Sequence, residues 1–221
     1  MPSFYLNSYA PLVASKAGRE ASKRYGIEPF VDGSIRREPD LEHDMPSISC
    51  LCRAGKFAPR LRAGDVVAYL TAKKSFGRRP ANRRLTAVLR VDRIFGDHAT
   101  AASWFRSQGK LLPSNCMVDN NPPRPIDQSH CHVRGRQRSP HPEIQKLWDR
   151  EYLERASKHP AFVVCERIFL KLCWDAPIVS DACLREAIGY LPGTQNPGAL
   201  DLEAYHRLMH LLGIPVPPSS P

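Results

Sequence analysis

The chain carries its entire net charge in one segment. Between Arg53 and Arg93 there are twelve lysines and arginines but only two acids, so this segment accounts for the +10 of the whole 221-residue chain. The remainder has equal numbers of basic and acidic residues. A localised positive segment attracts phosphate backbones, which points to nucleic acid as the partner. The alternative is a solvated surface that only keeps the protein soluble.

The candidate phosphate contacts are cations of this segment and of a second basic cluster further along the chain. They are Arg60, Arg62, Lys73, Lys74, Arg78, Arg79, Arg83, Arg84, Arg134, Arg136 and Arg138. Aromatic residues occur among or near them, and an exposed ring can stack on a base for roughly 1 to 3 kcal/mol. Trp104, in a short predicted helix beside loops, is the preferred stacking residue, with Tyr69 as the other candidate.

A cluster of acids offers a catalytic alternative. Its members, which share one proline-containing loop, are Asp32, Glu38, Asp40, Glu42 and Asp44. Paired carboxylates can divide general acid and base roles, with Cys50 or His130 assisting. The other interpretation is that these acids pair with Arg36, Arg37 or the basic segment.

Metal and nucleotide-cofactor signatures are weak. His130, Cys131 and His132 offer ligands near Cys116 and His141, but consecutive side chains of an extended segment point apart. We therefore expect no metal there, and a structural zinc remains the alternative. The sequence Gly-Lys-Ser/Thr of a phosphate loop does not occur, so no cofactor is expected.

The elements that position these residues follow from local patterns. Strands are predicted over Ser3–Tyr9, Ile48–Cys52, Val66–Thr71, Leu85–Phe95 and Phe162–Leu170. Helices are predicted over Ala14–Tyr25, His98–Gln108, Asp181–Ile188 and Asp201–Leu212, with another beginning at Pro142. Strands and helices do not alternate regularly, which favours an α+β fold. The loop Ala72–Arg84 contains six cations and no acid, so a hairpin presents a basic loop.

Length and composition define the setting. We expect one domain over residues 1–213, with a helical elaboration at its C-terminal end and a mobile tail over 214–221. The seven cysteines have irregular spacing, which is typical of reduced thiols in a cytoplasm. Neither a membrane span nor a signal peptide is recognisable, so we predict a cytoplasmic protein that does not associate with membranes.

Several motifs resemble a known family. They are Pro29-Phe30, Asp32-Gly33, Cys50–Arg53, Ala58–Arg62, Ala63–Val67, Leu85–Val91 and Phe162–Cys165. Their order, over roughly Ser3 to Leu172, resembles the nucleotide-modification-associated domains, which are similar to the PUA, EVE and ASCH-like small barrels.

The resemblance implies a small mixed PUA-like β-barrel with flanking helices. It also implies a base pocket between the barrel strands, bordered by the Asp32–Cys52 chain and the loop with Trp104. The candidate pocket residues are Asp32, Arg36, Cys50, Tyr69 and Trp104, and Arg60 and Arg62 would border the pocket. Members look like modules found with enzymes that alter DNA bases, so DNA-modification or restriction proteins are implied as partners.

Together these observations favour a non-catalytic binding module for nucleic acid. DNA is favoured over RNA, and the recognised feature is expected to be a modified base. The alternative is an enzyme of nucleotide or DNA base modification that uses acids of the 32–44 loop. A third interpretation is a protein-interaction module whose basic face docks an acidic partner.

Overall fold

A computed structural model describes residues 2–51, 55–76, 80–123, 142–193 and 197–214, with only the backbone of 142–148. The strands of these ranges are β1 (Phe4–Tyr9), β2 (Ser47–Ile48), β3 (Val66–Thr71), β4 (Arg83–Phe95), β5 (Phe162–Leu170), β6 (Ile178–Val179) and β7 (Ala199–Leu200). The helices are α1 (Lys16–Tyr25), α2 (His98–Ser107), α3 (Pro142–Lys158), α4 (Asp181–Ile188) and α5 (Leu202–Leu211). No helix in these ranges is long and apolar enough to cross a bilayer.

The strands form one mixed sheet in the order β2-β5-β4-β3-β1-β7, and β6 pairs with the start of β4. The β1–β3 pair is parallel, and the other pairs are antiparallel. No pairing among the described residues joins the edge strands β2 and β7, so the sheet is open. The α+β class is therefore confirmed, whereas the barrel remains a prediction.

Strand β3 is central because each of its faces meets a core. All six of its residues are buried, which explains its continuous run of apolar and β-branched residues. Val67 and Tyr69 join the core beneath the Pro-rich loop of residues 27–46. Ala68 and Leu70 face the opposite core, which α4 and α5 complete with residues such as Leu184 and Leu208.

Local patterns predicted most elements closely. The bounds of β3, β5 and α4 are those expected, and four helix N-caps (Ser15, Asp97, Ser180 and Asp201) accept a backbone N–H three residues on. The strand predicted over Ile48–Cys52 is shorter, because the Ser49 N–H donates to the Glu38 carboxylate instead of to a strand. Apart from Ile214, the predicted mobile tail lies outside the described residues.

The basic loop is also shorter than predicted. Arg83 and Arg84 belong to β4, where they pair with Val179 and Ile178 of β6. The Arg84 N–H also donates to the Thr71 hydroxyl on β3, at 2.9 Å. These contacts with distant residues extend the strand two positions beyond its apolar pattern.

Helix α1 packs against the preceding turn through Gly18. A Cβ added there would lie 1.8 Å from the carbonyl oxygen of Leu12. We expect Gly18→Ala to lower the free energy of unfolding by about 1 to 3 kcal/mol, because backbone must move. Gly96→Ala is the control, since no atom lies within 4 Å of its Cβ, and it should stay within about 0.5 kcal/mol of wild type. Equal urea midpoints for the two variants would contradict the close contact.

Candidate nucleic-acid interface

The β3–β4 hairpin presents the basic loop. Lys74 and Asn82 exchange two backbone hydrogen bonds of 3.1 and 3.2 Å, which extend the pairing beyond the two strands. Arg78 and Arg79 lie outside the described residues, as do Arg134, Arg136 and Arg138 and the His130–His132 cluster. The hairpin pairing therefore continues as far as Lys74 and Asn82.

The hairpin cations have different surroundings. The Asp181 carboxylate, at the start of α4, accepts a hydrogen bond of 2.8 Å from Lys73 Nζ and another from Arg83. Arg84 is buried, and its Nη1 donates to the carbonyl oxygens of Trp174 and Ala176. Lys74 is exposed and has no ionic partner in the described part of the chain. Lys74 is therefore accessible to a phosphate, and Lys73 and Arg83 are accessible if Asp181 is displaced.

An exposed tryptophan lies beside this hairpin. Trp174 is 40% exposed as a residue, and its ring centroid lies 5.1 Å from that of Phe30 and 6.5 Å from that of Phe76, which is in the basic loop. Sequence reasoning missed this residue. The sequence feature that could have identified it is a tryptophan between Cys173 and Asp175, in the turn that follows β5. Trp174 can offer a stacking surface next to the hairpin cations.

Trp104, the preferred stacking residue, lies at the other end of β4. Its ring packs on Phe95 and Phe105, and the Arg93 guanidinium carbon lies 4.8 Å from the ring centroid. Strand β4 has 13 residues, so its ends are roughly 40 Å apart. Trp104 and the basic loop therefore do not form one site.

Arg60 and Arg62 are separated from the loop in the same way. They precede β3, whereas Lys73 follows it, and a six-residue strand spans roughly 17 Å. The Arg60 guanidinium donates to the Pro197 carbonyl oxygen and lies 5.8 Å from the Tyr5 ring centroid. Arg62 donates to the carbonyl oxygen of Leu61. Both side chains are exposed, but they form a second basic group at the opposite end of the sheet.

Three of the predicted acids, Asp32, Glu38 and Asp40, are buried hydrogen-bond acceptors. Asp32 accepts from the Glu38 N–H at 3.0 Å, and Asp40 accepts from the Ser114 N–H at 2.6 Å. Glu38 accepts from the Ser49 N–H at 2.9 Å, from the Ser49 hydroxyl and from Asn115 Nδ2 at 3.1 Å. These carboxylates connect parts of the segment 32–49 with one another and with the chain around Asn115.

Two arginines complete this network. Arg36 Nε donates to Asp149 on α3 at 2.7 Å, and its Nη1 donates to the carbonyl oxygen of Asn121. Arg37 Nε donates to Glu42 at 2.9 Å, which is a pairing that the sequence suggested. Because both arginines are buried, their charges are balanced inside the protein.

Burial changes the proton affinity of two of these acids. Desolvation raises the pKa of Asp32, and it raises that of Glu38 to about 7, although hydrogen bonds from Ser49 and Asn115 favour the ionised form. A carboxyl group with a pKa near neutral can exchange a proton at physiological pH. The oxygens of Glu38 are nevertheless engaged by internal donors.

The predicted base-pocket residues lie mostly inside the protein. Asp32, Arg36, Cys50 and Tyr69 are each at most 5% exposed, and Trp104 is half-buried. Burial also raises the pKa of the Cys50 thiol to about 12, so this thiol is protonated at neutral pH. The Tyr69 ring packs edge-on against Tyr9 in the core. These side chains are not assembled around an exposed aromatic wall.

An open cleft of about 1250 Å³ lies between two of the segments that were expected to border a base pocket, although loops and the end of α2, rather than sheet strands, line it. It runs between Glu42–Asp44 of the acidic segment and Arg106–Leu112, which follow Trp104. Its lining also includes Ser114 and residues 120–122, and among the described residues it is mainly polar and contains no Phe, Trp or Tyr. Among the described residues, no three His, Cys, Asp or Glu side chains are grouped to hold a metal ion.

The pKa of Glu38 makes stability depend on pH. Between its ordinary pKa of 4.5 and its folded pKa of about 7, the folded state retains a proton that the unfolded state has lost. The contribution of Glu38 to the free energy of unfolding therefore falls as pH rises through this window, by on the order of 3 kcal/mol. Urea unfolding at a series of pH values should show a flatter profile for Glu38→Gln.

The control for this experiment is Glu20→Gln, which removes an exposed carboxyl group on α1. It should leave the profile of the wild type unchanged. An equally steep profile for wild type and Glu38→Gln would contradict the raised pKa.

Comparisons with protein-family models, with curated proteins and with solved structures found no match. The functional argument therefore depends on the residues and geometry of this chain.

Proposed function

We propose that the protein is a non-catalytic nucleic-acid-binding module that contacts phosphates through its hairpin and a base through Trp174. The observation that carries this proposal is the exposed Trp174 ring beside the cationic hairpin. Lysine and arginine neutralise phosphates, and a flat aromatic face stacks on an unpaired base. The +10 net charge supports the same class of partner.

A base in single-stranded or locally opened DNA fits this arrangement. Stacking requires a free base face, and the phosphates on either side of that base can reach the hairpin cations. The resemblance to nucleotide-modification-associated domains extends the proposal to DNA with a modified base, with DNA-modification or restriction proteins as partners.

A PUA-like barrel belongs to the same proposal, and the irregular sheet supports it. The β4–β5 pairing shifts register between Val88 and Leu89 and again between Val91 and Arg93. A third shift lies in the β3–β4 pair at Tyr69 and Leu70. Bulges of this kind bend and twist strands, which is how small barrels curve.

An enzyme that modifies a nucleotide or base is the second candidate function. It is favoured by the Glu38 carboxyl group, whose pKa of about 7 suits proton transfer. Because Ser49 and Asn115 hold this carboxylate, the loop must open before Glu38 can meet a substrate. Mass spectrometry of oligonucleotides after incubation with the protein separates the two functions. Oligonucleotides that bind tightly and keep their mass support the binding module.

Stacking on Trp174 predicts a specific loss of affinity. Trp174→Ala should weaken binding of a single-stranded DNA oligonucleotide by about five- to hundredfold, measured by fluorescence anisotropy at fixed salt. Tyr190→Ala is the control, since it removes another exposed aromatic side chain. For the wild type, the logarithm of the binding constant should fall as the logarithm of salt concentration rises, by about 0.7 for each phosphate contacted. A slope near zero, or equal losses in both variants, would contradict the proposal.

Asp181 should oppose binding, because its carboxylate occupies Lys73 and Arg83. The Lys73 hydrogen bond keeps the pKa of Asp181 below its usual value, so the group is charged at neutral pH. We expect Asp181→Asn to bind the same oligonucleotide up to about tenfold more tightly, with a salt slope steeper by about 0.7 to 1.4. Glu203→Gln, which removes an acid paired with Arg207 on α5, is the charge-matched control. The same gain in both variants would show a general charge effect instead.

A further inference from the structure

The cleft between Glu42–Asp44 and Arg106–Leu112 has two walls of opposite charge. Glu42 and Asp44 form one wall, and Arg106 and Lys110 belong to the other. The two pairs of opposite charges form no salt bridge with each other among the described residues. A cleft of this kind suits a ligand that has an anionic group at one end and hydrogen-bond donors at the other.

Ser114 provides a buried hydroxyl group in this cleft. Its N–H donates to Asp40 at 2.6 Å, and its carbonyl oxygen accepts from Arg36 Nη1 at 3.3 Å. The backbone is therefore held on both sides. The Oγ atom is buried and has no hydrogen-bond partner among the described residues. An unpaired buried hydroxyl destabilises the fold. Because Ser114 lines the cleft, a ligand atom that reaches Oγ would supply the missing hydrogen bond.

The basic wall is also fixed in position. Helix α2 ends in a turn in which the Gly109 and Lys110 N–H groups donate to the carbonyl oxygens of Arg106 and Phe105, both at 3.0 Å. The Arg106 and Lys110 side chains are exposed, and neither has an acidic partner in the described part of the chain. Because these two cations are close together in the chain, their side-chain charges can bind a phosphate group.

His43 connects the two walls. Its Nε2 lies 2.9 Å from the Leu111 carbonyl oxygen, and its Nδ1 lies 3.0 Å from the Met45 carbonyl oxygen and 3.1 Å from the Met45 nitrogen. Glu42 is held by Arg37, and the largely exposed Asp44 carboxylate lies 3.9 Å from Arg167 Nη2. Carboxylates placed there can accept from the exocyclic amino group of a base.

We propose that this cleft binds one nucleotide, with its phosphate on Arg106 and Lys110, its amino-bearing base edge toward Glu42 and Asp44, and a polar atom on Ser114 Oγ. The proposal rests on the proposed function and adds a second contact site, at a distance from Trp174. The nucleotide is either free or part of a strand. Two probes distinguish these sources: free dCMP and a 5′-phosphorylated oligonucleotide. A site that is specific for a strand binds only the oligonucleotide at micromolar concentration.

Isothermal titration calorimetry with both probes tests the site. We expect Ser114→Ala to weaken binding of the preferred probe about tenfold without lowering the melting temperature, because the variant loses a hydroxyl that has no internal partner. Arg106→Gln should weaken binding by a similar factor. Arg185→Gln on α4 is the control, since Arg185 is an exposed arginine that does not line the cleft. We also expect dTMP, which has no exocyclic amino group, to bind about tenfold more weakly than dCMP if the free nucleotide is the ligand.

The results separate this site from the hairpin. If Ser114→Ala and Arg106→Gln bind both probes like the wild type, the cleft assignment is overturned, even where Trp174→Ala still loses strand binding. Equal affinities for dCMP and dTMP would overturn the role of the acidic wall. Loss of probe binding in the two cleft variants, with salt-dependent strand binding retained, supports the assignment. A third result is possible, in which the cleft variants lose dCMP binding but strand binding depends neither on salt nor on Trp174. This result would support the cleft site and contradict the hairpin proposal.

Discussion

The interaction on which much of this structure depends is the burial of Asp32, Glu38 and Asp40 with hydrogen-bond donors around each. A buried carboxylate is costly unless donors surround it. Asp32 takes its donors from nearby residues, whereas Glu38 and Asp40 also take donors from segments distant in sequence. Ser49 and Asn115 hold Glu38, and the Ser114 N–H holds Asp40. These contacts fix an irregular segment that forms no long strand or helix of its own. The same segment supplies the acidic wall of the cleft.

A second constraint links the hairpin to the turn after β5. Arg84 is buried at the start of β4, and its guanidinium binds two carbonyl oxygens of this turn, those of Trp174 and Ala176. Its carbon atom also lies 5.7 Å from the centroid of the Phe30 ring. Arg84 therefore serves as an internal anchor that positions the exposed tryptophan next to the basic loop. Arg84, which was predicted to contact phosphate, thus has a structural role.

The basic residues do not form a single continuous surface. The length of β3 separates Arg60 and Arg62 from Lys73 and Lys74, so the two groups attract an anion at opposite ends of the sheet. Asp181 neutralises part of the hairpin group, whereas Arg106 and Lys110 add cations that the segment from Arg53 to Arg93 does not contain. Affinity for a polyanion and selection of a particular base are therefore assigned to different contacts.

The sequence by itself determined the local elements. Runs of β-branched residues marked β3 and β5, and a capping Asp201 marked the start of α5, because these preferences act between residues close along the chain. It also identified the charged segment and the acids of the 32–44 loop. It did not reveal that β4 begins at Arg83, since contacts with Thr71 and β6 extend this strand.

Only the tertiary structure decided which charges are available and which rings are exposed. Asp181 meets Lys73 across 108 residues, and Trp174 meets Phe76 across almost as many. Tyr69 belongs to an element that the sequence predicted correctly, yet its ring is in the core because both faces of β3 are covered. Exposure and pairing depend on how distant elements pack together, and local sequence patterns do not encode that packing.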